Sequence, residues 1–281
     1  MNRIAAAFVA ACRDELEAPK PGNVHLFAGG HRMTADDFMR SAEAAAAAIA
    51  APGARVGARI LQSIEATQAA VGQNTNLGIV LLCAPLAAAA ENSARELRDA
   101  LDDVLDGLDV EDAELAFRAI VLAAPAGLGA AERHDVRQSA AVTLRDAMAA
   151  AADRDRIAYQ FCHRFSDIFD RGLPEYQAAA RRWAEPKWAT LAIYLALLAD
   201  IPDTHIARKF GAPSAQALRR EAAGYRRRLQ STDAPDALLG ELMAWDAALK
   251  ARGINPGTSA DLTVATLFAR RLLLPDASNS G

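Results

Sequence analysis

Four short polar islands interrupt an alanine-rich chain of 281 residues, and they carry side chains suited to holding an anion. Asn74-Thr75-Asn76-Leu77-Gly78 places three adjacent hydrogen-bonding side chains directly ahead of the apolar run Ile79–Ala90. Asn and Thr compete with the backbone for hydrogen bonds and favour caps and turns. A helix N-cap ahead of a buried helix is therefore the simplest reading of this island. The stretch Pro19-Lys20-Pro21-Gly22-Asn23-Val24-His25 runs on to Gly29-Gly30-His31. Its prolines hold the chain extended around Lys20, and Gly22 allows a turn or a close backbone approach. A rigidly presented lysine beside a glycine suits a phosphate oxygen, and an ordinary interhelical loop explains the same residues.

The third island is Asp203-Thr204-His205-Ile206-Ala207-Arg208-Lys209-Phe210-Gly211. Arg208 and Lys209 complement the dipole at a helix C-terminus, or they offer a planar fork and a point charge to phosphate. The fourth is Asn255-Pro256-Gly257-Thr258-Ser259-Ala260-Asp261-Leu262. Pro-Gly turns the chain, Thr258 or Ser259 can cap the next helix, and Asp261 would then lie in its first turn, where a carboxylate is favoured. A carboxylate beside such a turn also suits a base or a metal–phosphate site.

Each island has a structural explanation on its own. Together they read as the rim of one pocket for an anionic ligand. No Walker or Rossmann glycine loop is present, so a nucleotide would be bound some other way. Zinc has no His/Cys cluster and acyl transfer has no serine motif.

Positioning these islands requires helices throughout. Ile4, Phe8, Cys12 and Leu16 recur at core-facing spacing. Thr34 is a plausible N-cap for a helix over Asp36–Ala51, which closes before Pro52-Gly53, and Ala54–Ala70 follows. Further helices are expected over Leu77–Glu91, Ser93–Leu105, Val110–Ala123, His134–Ala152 and Asp153–Phe169, with Gly172-Leu173-Pro174 as a breaker. Glu175–Ala199 must kink or divide at Pro186. Asp203 caps a short helix to Phe210, and helices from Pro213 to about Leu229, over Ala234–Ala251 and over Thr258–Leu273 complete the series. No stretch alternates at period two and no linker marks a boundary. The expected fold class is all-α, a single multi-helix domain over residues 1–274 whose polar interhelical loops form a nucleotide pocket, with a flexible tail at 275–281.

Bulk properties agree with that reading. Hydrophobic residues make up 52% of the chain but aromatics only 6%, which favours closely packed helices over an aromatic-rich sandwich. A net charge of −4 argues against a nucleic-acid partner, which needs a broad basic face. Cys12, Cys83 and Cys162 show no metal-ligand spacing and read as buried free thiols in a reducing cytoplasm. Val9-Ala10-Ala11-Cys12 looks like a lipoprotein cleavage site, but Arg13–Glu17 continues the helical pattern and no run is long enough to span a bilayer. A cytoplasmic protein with no membrane partner is expected, its oligomeric state open and a homo-oligomer included.

The islands, in this order, resemble the triphosphoribosyl-dephospho-CoA synthase family. Members carry Pro-Lys-Pro-Gly, matched by Pro19–Gly22; Asn-Thr-His-Lys-Gly, here Asn74–Gly78; Asp-x-x-(Ile/Val)-x-Arg, matched by Asp203–Arg208; and Asn-Pro-Gly-x-Ser-Ala-Asp-Leu, matched by Asn255–Leu262. The resemblance covers nearly the whole chain. It implies an all-α enzyme that joins C1 of the ATP ribose to the 2′-hydroxyl of 3′-dephospho-CoA and expels adenine, with Mg²⁺ carried as Mg-ATP. It implies Asp261 as base or Mg²⁺ ligand, Lys20, Arg208 and Lys209 on phosphates, and Asn74, Thr75 and Ser259 on ribose or phosphate oxygens. Gly22, Asn23, His25 and Asn76 belong to the same substrate-binding islands. Glu65 and Asp37 are further carboxylates, the first for catalysis and the second for metal, although amphipathic helices usually keep such groups solvated.

One departure limits the substrate. Where the family pattern has His-Lys, this chain has Asn76-Leu77, without a titratable group or a cation. The Asn-Thr-Asn-Leu-Gly variant resembles a side branch found with one-carbon cofactor genes, such as those for tetrahydromethanopterin or methanofuran. That resemblance implies a second reading, a different nucleotide-dependent step on a related cofactor intermediate. A non-catalytic helical binding protein is the third.

Overall fold

The computed structural model describes residues 2–92, 94–125 and 127–274, so the tail expected at 275–281 and the Ser93 start of one expected helix lie outside the described residues. The chain folds as α1 (Arg3–Glu17), α2 (Ala35–Ile49), α3 (Val56–Val71), α4 (Leu77–Ala89), α5 (Leu97–Asp106), α6 (Val110–Ala123), α7 (Leu144–Ala149) and α8 (Arg156–Cys162). A π-helical turn over Asp167–Gly172 leads into α9 (Leu173–Arg182), α10 (Pro186–Asp200), α11 (Thr204–Phe210) and α12 (Ala212–Ser231). A short 3₁₀ turn, Pro235–Leu238, precedes α13 (Leu239–Ala251) and α14 (Gly257–Leu273). The fold is all-α: the described residues contain no strand, only isolated bridges between His25 and Ala28 and between Gly30 and Met33.

Three helices form the centre, because two of them have almost no polar face to offer water and the third is buried against them. α4 and α10 are apolar all round and must be enclosed by others, and α14 is buried with them, its Thr263 and Thr266 hydroxyls donating to the helix's own carbonyls. α14 packs against α1, α4 and α10; α2, α3 and α6 layer on one side, and α9 and α12 close over α10 on the other. Buried alanines such as Ala42, Ala45, Ala46, Ala113 and Ala116 let the outer helices approach closely with little aromatic filling. Among the described residues, no helix is long and apolar enough to cross a membrane.

Several expected boundaries hold for the expected reason. Thr34 caps α2 through a capping box with Asp37, and Asp203 caps α11 by accepting from the Ile206 N–H. Pro186 divides rather than kinks, sitting at the start of α10 where its missing N–H costs nothing.

Others change. The helix expected over His134–Ala152 shrinks to α7. His134 has a positive φ of 53°, and the Asp135 carboxylate accepts from the Ala131 and Arg137 N–H groups, so the loop satisfies its backbone outside a helix. The helix expected over Asp153–Phe169 ends at Cys162, because Arg164 and Phe165 turn the chain at φ 51° and 54°. Gly172-Leu173-Pro174 is no breaker: Gly172 and Leu173 are helical, and Pro174 stands in the first turn of α9. Of the three free thiols expected to be buried, Cys12 and Cys83 are, whereas Cys162 is only half-buried.

Candidate active site

The polar islands meet in pairs, always through the fourth. Asn23 Nδ2 donates to Asn255 Oδ1 at 2.8 Å, joining the first and fourth. Gly22, at φ 85°, packs so tightly that a Cβ there would lie 2.9 Å from Pro256 Cδ, so both its conformation and its contact require glycine. Asp203 joins the third and fourth: its Oδ1 caps α11, while its Oδ2 accepts from the Ser259 N–H and Oγ, both at 2.9 Å. Thr258 Oγ1 returns the favour by accepting from the His205 N–H at 3.1 Å. The second and fourth meet where Gly78 faces the carboxyl of Asp261.

That last contact removes the dipole explanation for Asp261. α14 begins at Gly257 with no side-chain cap, so the cap expected from Thr258 or Ser259 is absent and no acidic residue lies in the first turn. Asp261 is one position further along and turns to the wall of a large cleft.

The cleft encloses ≈ 1130 Å³, above the usual range of about 300–1,000 Å³ for a single small ligand. Asn23, Asn74, Thr75, Asn76, Arg208, Lys209 and Asp261 line it, together with Glu15, His31, His205 and residues 127–131 and 133–136 of the connection before α7. Its floor is acidic. Burial, reinforced by the nearby charges of Asp203, Glu15 and Asp155, holds the Asp261 carboxyl well above the ordinary carboxylate range. Among the described residues, no hydrogen bond or ion pair engages that carboxyl.

The rim is basic. Arg208 pairs with Asp155 at 3.1 Å, its aliphatic stem lying under Gly127 of the loop. Lys209 stands over the Phe210 ring, and Arg133 and Arg154 reach the same cleft. His205 is neutral at pH 7: burial, then Arg208 and Lys209, lowers it to about 4.

Other expected site residues are placed elsewhere. Lys20 is fully buried behind the wall, where its ammonium donates to Glu15 Oε1 at 2.9 Å, to the Val24 carbonyl at 2.6 Å and, more weakly, to Asn23 Oδ1 at 3.5 Å. With every donor taken, it has no proton to offer a phosphate in the cleft. His25 is buried 3.4 Å from Asp246 Oδ1, and burial lowers its pKa. Neither His25, Gly22 nor Ser259 lines the cleft; the last is committed to Asp203. Thr75 reaches the cleft, but its hydroxyl donates to Ser41 Oγ at 2.6 Å. Glu65 is exposed on α3, outside the cleft, and the Asp37 carboxylate is consumed by the Thr34 capping box.

Asn74 and Asn76 divide the work of the second island. Asn74 Oδ1 accepts from the Leu77 N–H at 3.1 Å and so satisfies one opening donor of α4, although the N-cap position itself falls to Asn76, whose side chain makes no cap bond. Asn76 instead donates to Thr67 Oγ1 at 2.9 Å, leaving its buried Oδ1 without a partner among the described residues.

Residues 1–280 match the family CitG, described as ATP:dephospho-CoA triphosphoribosyl transferase. The chain belongs to this family. It is a transferase family, so the protein is an enzyme of that class. A crystal structure from Archaeoglobus fulgidus, provisionally named a triphosphoribosyl-dephospho-CoA synthase, shares the fold at TM-score 0.62 and 22% identity, covering 82% of this chain and 95% of that one. Comparison with curated proteins finds no match.

Within this triphosphoribosyl transferase scaffold, sequence reasoning passed over Glu15, Arg133 and Arg154. Glu15 carried a signal: it follows Phe8 by seven residues and so shares the buried face of α1, an unusual place for a carboxylate. Arg133 and Arg154 carried none: one lies in the connection before α7 and the other in the turn between α7 and α8, and neither stretch has a regular pattern.

Proposed function

We propose that the protein transfers the 5-triphosphoribosyl group of ATP to the 2′-hydroxyl of 3′-dephospho-CoA, or of a closely related cofactor intermediate, with release of adenine. The observation that carries this reading is the polarity of the large cleft: Asp261 on the floor, its carboxyl without a bond among the described residues, and Arg208 and Lys209 on the rim, in a volume large enough for two substrates. Displacement at an anomeric carbon builds positive charge at C1, which a carboxylate at the floor stabilises once that charge or Mg²⁺ displaces the proton that burial favours on Asp261. The triphosphate that stays on the ribose needs cations, and the rim supplies them.

Mg²⁺ would arrive with ATP. Among the described residues, no three His, Cys, Asp or Glu side chains stand close enough to hold a metal alone. Mg²⁺ keeps mostly water and phosphate oxygens as ligands and takes only one or two carboxylates from protein. An unpaired Asp261 among other acids suits that single role. The ion would neutralise charge on the triphosphate; Asp37, whose Oδ2 serves the Thr34 capping box outside the cleft, is the weaker candidate for its ligand.

Asn76-Leu77 supports the second reading, a different acceptor or ATP-dependent step. Leu77 is buried and Asn76 carries no charge, so this wall lacks the cation of the family's His-Lys pattern. Incubation with Mg-ATP and 3′-dephospho-CoA, followed by chromatography for free adenine, separates the readings. Adenine supports the transfer; ADP or AMP, formed only with another acceptor, replaces it with the second reading. Asp261→Asn should lose turnover at least about 100-fold with its helical CD intact, and retained turnover removes Asp261 from the chemistry.

A further inference from the structure

Glu15 is an unusual residue for its place, even with Lys20 as its partner. It lies in the last turn of α1, where exposed carbonyls disfavour a negative charge, and it is only 4% exposed. An apolar pair in place of Glu15 and Lys20 would hold the fold as well, since a buried ion pair rarely exceeds its desolvation cost. What this carboxylate gains is position. It lines the cleft and also a void of ≈ 10 Å³ beside it, room for about one water molecule. Asn76 borders both as well, with its Oδ1 buried and unpartnered. Among the described residues Asn76 Oδ1 thus lacks a donor beside the Glu15 carboxylate, whose Oε1 is held by Lys20 and whose Oε2 takes part in no bond. An incoming hydroxyl is such a donor.

The geometry points to Glu15 as the catalytic base that takes the proton of the attacking hydroxyl, with Lys20 as its positioning residue. This assignment rests on the transfer reaction proposed above. The hydroxyl oxygen bonds to C1 of the ATP ribose and its proton passes to Glu15. The C1–N9 bond breaks, its electron pair leaving with adenine, which takes a proton from water; Glu15 then returns its own to water. Lys20 fixes Oε1 through an ammonium held by further acceptors, so the carboxylate is aimed before substrate arrives. Asp261 is left free for the developing charge at C1 and for Mg²⁺. Burial raises the proton affinity of Glu15, which strengthens it as a base, while Lys20 opposes that rise.

The test uses Glu15→Gln, which keeps an oxygen for Lys20, and Glu15→Ala with added formate as a replacement carboxylate. ATP affinity of Glu15→Gln should stay within about threefold of the parent while transfer falls by roughly 100-fold or more. Formate should restore at least about tenfold to Glu15→Ala, a rescue that a merely structural carboxylate would not show. If Glu15→Ala fails to fold, Glu15→Gln decides alone. Parent-like transfer by folded Glu15→Gln, or a folded Glu15→Ala that formate does not rescue, overturns the base assignment. A parent protein that releases no adenine overturns the reaction and the base together.

Discussion

Gly78 and Asp261 meet so closely that a Cβ on the glycine would stand 2.1 Å from the aspartate Oδ2 and 2.6 Å from its Cγ. Gly78 sits in the first turn of α4. Helix propensity alone would favour alanine there, by up to about 1 kcal/mol. The contact reverses that preference, because the carboxyl must move before a methyl group fits. Gly78→Ala should therefore retain its helical CD yet lose transfer by on the order of 100-fold, as misplacing a reacting group by about 1 Å can do. Steady-state kinetics checks this, and parent-like kcat would show that the position of Asp261 is unimportant.

Lys20→Ala should act on stability more than on ATP. It leaves Glu15 buried without its cation, and breaking such a pair costs about 3–5 kcal/mol. In a chain of this size that corresponds to a fall in Tm of roughly 5–15 °C. Pairing Lys20→Met with Glu15→Gln should recover much of that loss. A thermal melt of Lys20→Ala matching the parent, together with weakened ATP binding, would return Lys20 to the phosphates.

Arg208→Ala should show the opposite pattern. Its ion pair with Asp155 is partly exposed, so the stability lost should stay near 1 kcal/mol or less. A charged hydrogen bond to phosphate is worth about 1.5–3 kcal/mol, so ATP affinity should drop by roughly tenfold or more. Calorimetric titration of ATP into the variant measures it directly, with Lys209→Ala expected to show a smaller loss because an ammonium makes no bidentate contact.

The pH dependence of stability follows from His205. Its pKa falls from 6.5 to about 4 on folding, mainly through burial. Between those values the unfolded chain binds the extra proton, so stability rises with pH across that window and is lost as pH falls from 6.5 toward 4. Denaturant midpoints measured over the window should flatten in His205→Gln; an unchanged slope would show that other groups set it.

The helical class was legible because alanine, leucine and isoleucine repeat at helical spacing while turn residues punctuate them, and Thr34, Asp203 and Pro186 mark boundaries through local chemistry. The loop before α7 was not, since its backbone is satisfied by the Asp135 side chain rather than by any periodic pattern. Within the site, Asp261, Asn74 and Arg208 could be found from polar residues flanking breaks. Lys20 could not be placed, because its motif fixes a lysine in a loop but not the inward turn toward Glu15. Glu15 itself hid inside a helical repeat, where only its presence on the buried face set it apart.

The central claim, transfer of the ribose unit with loss of the base, is tested most directly with ATP carrying ¹³C in its ribose. After incubation with Mg²⁺ and 3′-dephospho-CoA, mass spectrometry of the products should find the label together with the triphosphate on the acceptor, and adenine free and unlabelled. Label remaining in ADP or AMP, with the acceptor phosphorylated or unchanged, would contradict the account.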